Sequence, residues 1–155
     1  MSRVKRNQVI LDDVSKAIIN ELQQDGRKSY AAIGKVVGLS EAAVRQRVQR
    51  LTDGGVMQVV AVTDPLSLGL RRMGLIGVRC QGDTTVVADR IGALDEVDYV
   101  VIAAGSFDIL AEVVVGDDDG FLDLVNRIRR IKGVLSTECF VYLRIAKQTY
   151  EWGAR

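Results

Sequence analysis

The sequence predicts an α+β chain in two parts. An N-terminal winged-type helix-turn-helix domain is joined by a strand and linker to a C-terminal ferredoxin-like βαββαβ domain. Three observations carry this expectation. Apolar residues recur at helical spacing up to Thr52 and at strand spacing from Arg72 on. The tripeptide "GLS" (Gly38–Ser40) separates two short helical patterns, as the turn of a helix-turn-helix does. The rear part reads strand–helix–strand twice, and its halves match at an offset of 37 residues. Arg90-Ile91 then falls on Arg127-Ile128, Val87 on Leu124, Leu94 on Ile131 and Val97 on Val134.

In the front part, Asp12 or Asp13 is placed to cap a helix whose buried stripe is Val14, Ile18, Ile19 and Leu22. "DGR" ends it, and Gly26 is expected in the left-handed conformation just past the helix end. Ser29 caps a second helix, "YAAIGKVV", with Ile33, Val36 and Val37 inward. Gly34 is costly there, about 1 kcal/mol relative to alanine, unless the helices approach closely at that point. Gly38 allows a sharp turn, Leu39 plugs its corner, and Ser40 caps a third helix running to about Thr52. "DGG" and a strand, "VMQVVAV" (Val56–Val62), follow, then a linker at 63–70 marked by Asp64-Pro65.

The third helix indicates what this unit is for. Val44, Val48 and Leu51 define its buried side. Ala42, Gln46 and Gln49 point the opposite way, flanked by Arg45 and Arg50. Arginine and glutamine read guanine and adenine edges in the major groove, and alanine can meet a thymine methyl. Arg47 lies nearer the core flank, where its stem packs and its guanidinium reaches a phosphate. The plain alternative is a solvated amphipathic helix.

Composition and charge narrow the function. The chain has 155 residues, 48% of them hydrophobic, enough for one ordinary domain or two small ones. Its apolar runs fall short of the roughly 18–20 residues that cross a bilayer. The basic start "MSRVKRNQV" has no hydrophobic signal region after it, so a cytoplasmic protein is expected. The absence of histidine removes histidine-based catalysis and the commonest metal ligand but leaves catalysis through Asp, Glu, Lys or Cys open. With no convincing nucleophile–base pair in the sequence, an enzyme on the rear domain is the third reading, and no enzyme activity, cofactor or metal is expected. Cys80 and Cys139 have no metal spacing and read as buried thiols of a reducing compartment. Charge divides unevenly: residues 1–63 carry +4 and residues 64–155 carry −3. A basic front suits a polyanion.

The rear strands are expected near 72–80, 97–103, 108–115 and 134–145, with helices near 84–94 and 119–131 on one sheet face. A sheet covered on one side should alternate apolar with polar. In "YVVIA", "ILAEVVV" and "CFVYL" both alternating sets are largely apolar, so the second face is expected to meet a partner subunit, giving a homodimer or an assembly of dimers. In "AAGSFDIL", Gly105 and Ser106 suit a hairpin. Asp108 either caps that turn or, at a subunit junction, receives a ligand's ammonium group beside a close-approach glycine.

The stretch "ILDDVSKAIINELQQDGRKSYAAIGKVVGLSEAAVRQRVQRLTDGGVM" resembles the N-terminal part of the leucine-responsive/asparagine-responsive (Lrp/AsnC) transcriptional regulators. "AAGSFDIL…GDDDGFLDLVNRIRRIKGV" resembles their rear, RAM-type domain. The resemblance covers nearly the whole chain in order. It implies double-stranded DNA as a partner, with the motif at about 30–49 and contacts on Ser40, Arg45, Gln46, Arg47, Gln49 and Arg50, beside Ala42 from the helix reading. It also implies dimers assembling to tetramers or octamers, and a small effector, usually an amino acid, held between rear domains. By the same resemblance the effector site uses Gly105 and Asp108 of the hairpin, with Ser106 and Phe107 between them and Thr137 on the last strand. A sensor or carrier without DNA function is the alternative; the basic helix face argues against it.

Overall fold

A computed structural model describes residues 11–149, and their contacts divide them into two compact units that meet between Val62 and Thr63. The second unit runs to Ala146.

In the front unit, α1 (Asp13–Gln24), α2 (Tyr30–Val37) and α3 (Glu41–Asp53) close on a core of Ile18, Ile33, Val44 and Val48. Each start is capped by a side-chain oxygen: Asp12 accepts from the Ser15 N–H, Ser29 from Ala32, and Ser40 from Ala43. Gly38 ends α2 in the left-handed region (φ 70°), which lets the chain turn so that α3 starts three residues later, after its cap Ser40.

Four expectations are corrected. Val36, expected inward on α2, is 60% exposed; Ile33 and, in part, Val37 fill the core from this helix. Gly26 has no positive φ; α1 stops because Asp25 turns extended (φ −145°, ψ 100°) and its carboxylate accepts from the Arg27 N–H. An aspartate side chain makes that turn, so the glycine's freedom is not needed. Val56–Val62 forms no strand. A strand needs a ladder partner for its N–H and C=O groups, and among the described residues of this unit there is none. Its valines stay open, with Val59, Val60 and Val62 between 57% and 68% exposed. Cys139 is exposed, not buried, and both thiols are free.

The rear unit places β1 (Arg72–Cys80), α4 (Thr84–Ile91), β2 (Val97–Ile102), β3 (Ile109–Val115), α5 (Asp118–Arg129) and β4 (Val134–Val141) in βαββαβ order. The sheet is antiparallel throughout, in the order β2-β3-β1-β4, so the two halves interleave. The last strand ends at Val141, shorter than expected. Ile76, Val78, Ile109, Ala111 and Val113 meet Val87, Ile91, Leu124 and Ile128 of the helices in one core. Two of the pairs matched by the 37-residue offset, Val87 with Leu124 and Ile91 with Ile128, are thus the same inward positions of the two helices. Arg127 on α5 pairs with Glu96 at the entry to β2. That ion pair holds the Glu96 carboxyl below its usual range.

Alternation puts Leu75, Leu110, Glu112, Tyr99 and Phe140 on the sheet face opposite the helices, linked through Leu75↔Glu112, Leu75↔Phe140 and Tyr99↔Glu112. Tyr99 is 61% and Phe140 42% exposed. No described helix is long and apolar enough to cross a membrane.

Candidate DNA-reading helix and effector hairpin

The exposed side of α3 carries Ala42, Arg45, Gln46, Gln49 and Arg50, with Ser40 exposed at its cap. The helix spacing that buries Val44, Val48 and Leu51 forces these side chains outward. Arg45 is held in place: Nη2 donates to Glu41 Oε1 at 2.8 Å, and the guanidinium carbon lies 5.3 Å from the centre of the Tyr30 ring. Such stacking limits the conformations an arginine must lose when it binds. Gln49 Nε2 donates to Asp53 Oδ1 at 2.7 Å.

Arg47 departs from the expectation. Its Nη1 donates to both Asp12 oxygens, at 2.7 and 2.9 Å, and to Ser15 Oγ at 3.1 Å. It is a brace from α3 to the start of α1, and its charge is already matched within the unit. Asp12 therefore caps one helix and anchors another. The Ser15 hydroxyl, then the Arg47 guanidinium, holds the Asp12 carboxyl well below the usual carboxylate range.

This sets a sign for acid sensitivity. With the folded carboxyl ionising below its unfolded value, its stabilisation is complete above about pH 4 and is lost as pH falls through that range. Asp12→Asn keeps a capping oxygen but not the charge. Acid titration of the front-unit helix signal should show the wild type losing stability between about pH 5 and pH 2 more steeply than Asp12→Asn. Parallel curves would show that the brace contributes nothing.

The hairpin joining β2 to β3 holds four of the five expected effector residues. Gly105 is exposed, and a Cβ built on it would meet nothing within 4 Å. Asp108 is locked at both ends. Its N–H donates to the Val78 carbonyl at 3.0 Å, its carbonyl accepts from Ala103 at 2.9 Å, and its Oδ2 accepts from the Cys80 N–H at 2.8 Å. The side chain of this acid is therefore held by the end of β1, not by an N–H of the hairpin turn it was expected to cap. Phe107 points to the open sheet face and lies over Gly77, where a Cβ would come within 2.8 Å of its ring.

Thr137 is placed apart from this group. It pairs across the ladder with Val78, and its Oγ1 accepts from Arg129 Nε at 2.8 Å. β1 separates its strand from β3, and two strand spacings are about 10 Å.

Sequence reasoning missed Tyr30, Asp12 as an anchor, Gly77 and Arg79. Arg79 Nε donates to the Ser106 carbonyl at 2.8 Å, and its guanidinium lies 5.4 Å from the Phe107 ring centre. Two signals were available: a glycine inside a strand marks a close approach, and a lone arginine ends the apolar run "MGLIGV".

A capped, basic, three-helix reading unit followed by a βαββαβ sheet domain defines a DNA-binding regulator with a ligand-binding domain. Comparison with known proteins agrees. Residues 11–52 match the AsnC-type helix-turn-helix domain and residues 74–152 the Lrp/AsnC ligand binding domain. An HTH-type transcriptional regulator of Pyrococcus furiosus is 31% identical over 91% of this chain and 97% of its own length. The regulator FL11 of the same organism is 29% identical over 92% and 95%. Among solved structures, Mycobacterium tuberculosis LrpA superposes with a TM-score of 0.80 at 28% identity, over 89% of this chain and 96% of that one. A Neisseria meningitidis transcriptional regulator, solved in complex with L-Met, gives 0.80 at 25%, over 90% and 94%. The chain belongs to the Lrp/AsnC family of helix-turn-helix transcriptional regulators, proteins that bind DNA and carry a ligand-binding domain rather than catalyse a reaction.

Proposed function

We propose that this regulator binds DNA sequence-specifically through the exposed face of α3, as a homodimer or an assembly of dimers, and that an amino acid bound at the 103–108 hairpin sets its activity. The observation that carries the reading is the α3 face, where Arg45, Gln46, Gln49 and Arg50 stand exposed on a helix fixed by Ser40 and the Gly38 turn. Ser40 and Arg50 sit at its two ends, positions suited to phosphates, while Ala42, Arg45, Gln46 and Gln49 are suited to base edges. Arg47 contributes indirectly, by holding α1 against α3.

The dimer reading rests on the sheet face opposite the helices, where Tyr99 and Phe140 remain open. Two reading helices about one axis would meet half-sites about 34 Å apart, or a multiple of that. The effector reading draws support from the hairpin: the space over Gly105 is open, and the Asp108 carboxylate has a fixed position. The Neisseria relative with L-Met bound makes an amino acid the first ligand to try.

Arg45→Ala should relax base preference at one position per half-site, at a cost of about 1–3 kcal/mol. The measurement is a gel-shift series on the gene's own upstream DNA and single-base variants of it, at two salt concentrations because phosphate contacts make affinity salt-dependent. Equal losses on every sequence would make Arg45 a phosphate anchor. No shift by the wild type on any upstream DNA would remove the DNA-reading role assigned to α3.

A further inference from the structure

The hairpin proposed to hold the effector carries an acid, Asp108, and no basic side chain from Ala103 to Leu110. A free amino acid presents two charges, so a site with only an acid would leave its carboxylate unmatched. The structure supplies the cation from β1.

Arg79 is exposed at the end of that strand, and two contacts orient it. Nε donates to the Ser106 carbonyl at 2.8 Å, and the guanidinium carbon lies over the Phe107 ring, 5.4 Å from its centre. The ring has its own support. It lies on Gly77, with room for no Cβ beneath it, and meets Phe140 edge-on at 6.2 Å between centroids. No described residue pairs with the Nη1 or Nη2 of Arg79. The next residue, Cys80, is the one whose N–H meets the Asp108 carboxylate. Adjacent residues of β1 therefore anchor the hairpin's acid and present a base beside it, and the space over Gly105 is open.

On the reading that this hairpin holds the effector, we infer that Arg79 is a ligand-binding residue that takes the carboxylate of a zwitterionic α-amino acid through Nη1 and Nη2. Asp108 faces the ammonium group of the same ligand. A guanidinium fork matches a carboxylate with two parallel hydrogen bonds, which a lysine in its place could not reproduce. With Nε committed to Ser106 and the guanidinium resting over Phe107, Arg79 loses little freedom on binding. The pairing makes the site selective: amino acids should bind, and amines or amides of the same side chain should bind weakly. It also ties the effector to the open sheet face, because Phe107 and Phe140 hold the arginine from that side.

The test uses the full chain with L-methionine, L-leucine, L-lysine and L-asparagine and the α-carboxamide of each, read by thermal shift and calorimetric titration. The wild type is expected to bind at least one free amino acid, and its carboxamide about ten-fold more weakly or worse. Arg79→Gln should bind that amino acid more weakly by a similar factor and no longer distinguish it from the carboxamide, each shift being read against the variant's own unliganded melting temperature because the Ser106 and Phe107 contacts are lost with the arginine. Arg79→Lys should recover part of the loss. If Arg79→Gln binds like the wild type, or the wild type binds acid and amide equally, the role of Arg79 is overturned and the effector reading stands. If the wild type binds none of the four amino acids, the effector reading fails and this inference fails with it.

Discussion

Replacing Gly34 by alanine should destabilise the front unit by about 1–3 kcal/mol, the usual cost of overpacking. Helix propensity predicts the opposite sign, since alanine is favoured over glycine within a helix by about 1 kcal/mol. Packing decides it. A Cβ on Gly34 would sit 2.4 Å from the Leu39 carbonyl oxygen, which belongs to the turn backbone and cannot swing aside as a side chain could. The Leu39 N–H is also bound to the Gly34 carbonyl at 2.9 Å, so the turn is fastened to the place where the methyl would go. Relief would require α3 to move relative to α2, which would shift Arg45 away from Tyr30 and re-aim the DNA-reading face. Chemical denaturation followed by the helical signal gives the stability, and the gel shift gives the reading geometry. Stabilisation by about 1 kcal/mol with unchanged DNA binding would show that the approach is looser than 2.4 Å implies.

Asp108 gives the second large effect, and two substitutions separate its roles. Asp108→Ala should cost the rear unit about 1–3 kcal/mol, because the Cys80 N–H loses its acceptor in a partly buried place. It should also abolish the response to the effector while leaving DNA binding intact. Asp108→Asn retains an oxygen for Cys80 but has no charge for an ammonium group, so it should fold like the wild type and still fail to respond. Melting temperatures with and without amino acid measure both. An Asp108→Asn protein that responds like the wild type would assign the carboxylate to the Cys80 bond alone. One carboxylate oxygen serves the end of β1 in place of the expected turn, and the experiment asks whether the charge serves a ligand.

Where the chain was legible, the determinants lay within a few residues of one another. Ser29 and Ser40 cap helices because their hydroxyls reach an N–H three residues on, and Gly38 ends one because its own φ is positive. Burial of Val44, Val48 and Leu51 follows from helix geometry alone. The rear topology was legible for a related reason. Alternating apolar strands and periodic helices leave few arrangements, and right-handed crossovers select one of them.

What was missed depended on partners distant in sequence. Arg47 reads as a phosphate contact until Asp12, 35 positions away, is seen to hold it. Gly26 looked like a helix stop because a left-handed glycine and an aspartate turn leave the same "DG" in the sequence; only the backbone angles distinguish them. Val56–Val62 has every local mark of a strand and forms none, since a ladder needs a second strand and no local signal supplies one.

The sequence by itself therefore determined the three front helices, the βαββαβ order, the family and the side of α3 that faces outward. All of these follow from periodicity, capping and covalent neighbourhood. The tertiary structure alone decided which charges are already matched and which remain free. Arg47 is consumed by Asp12, Asp108 is fastened to Cys80, and Arg79 lies over Phe107 with its terminal nitrogens paired to no described residue. Coulombic and hydrogen-bonding partners are chosen by distance in space, and a linear pattern carries that distance only where the chain itself fixes it.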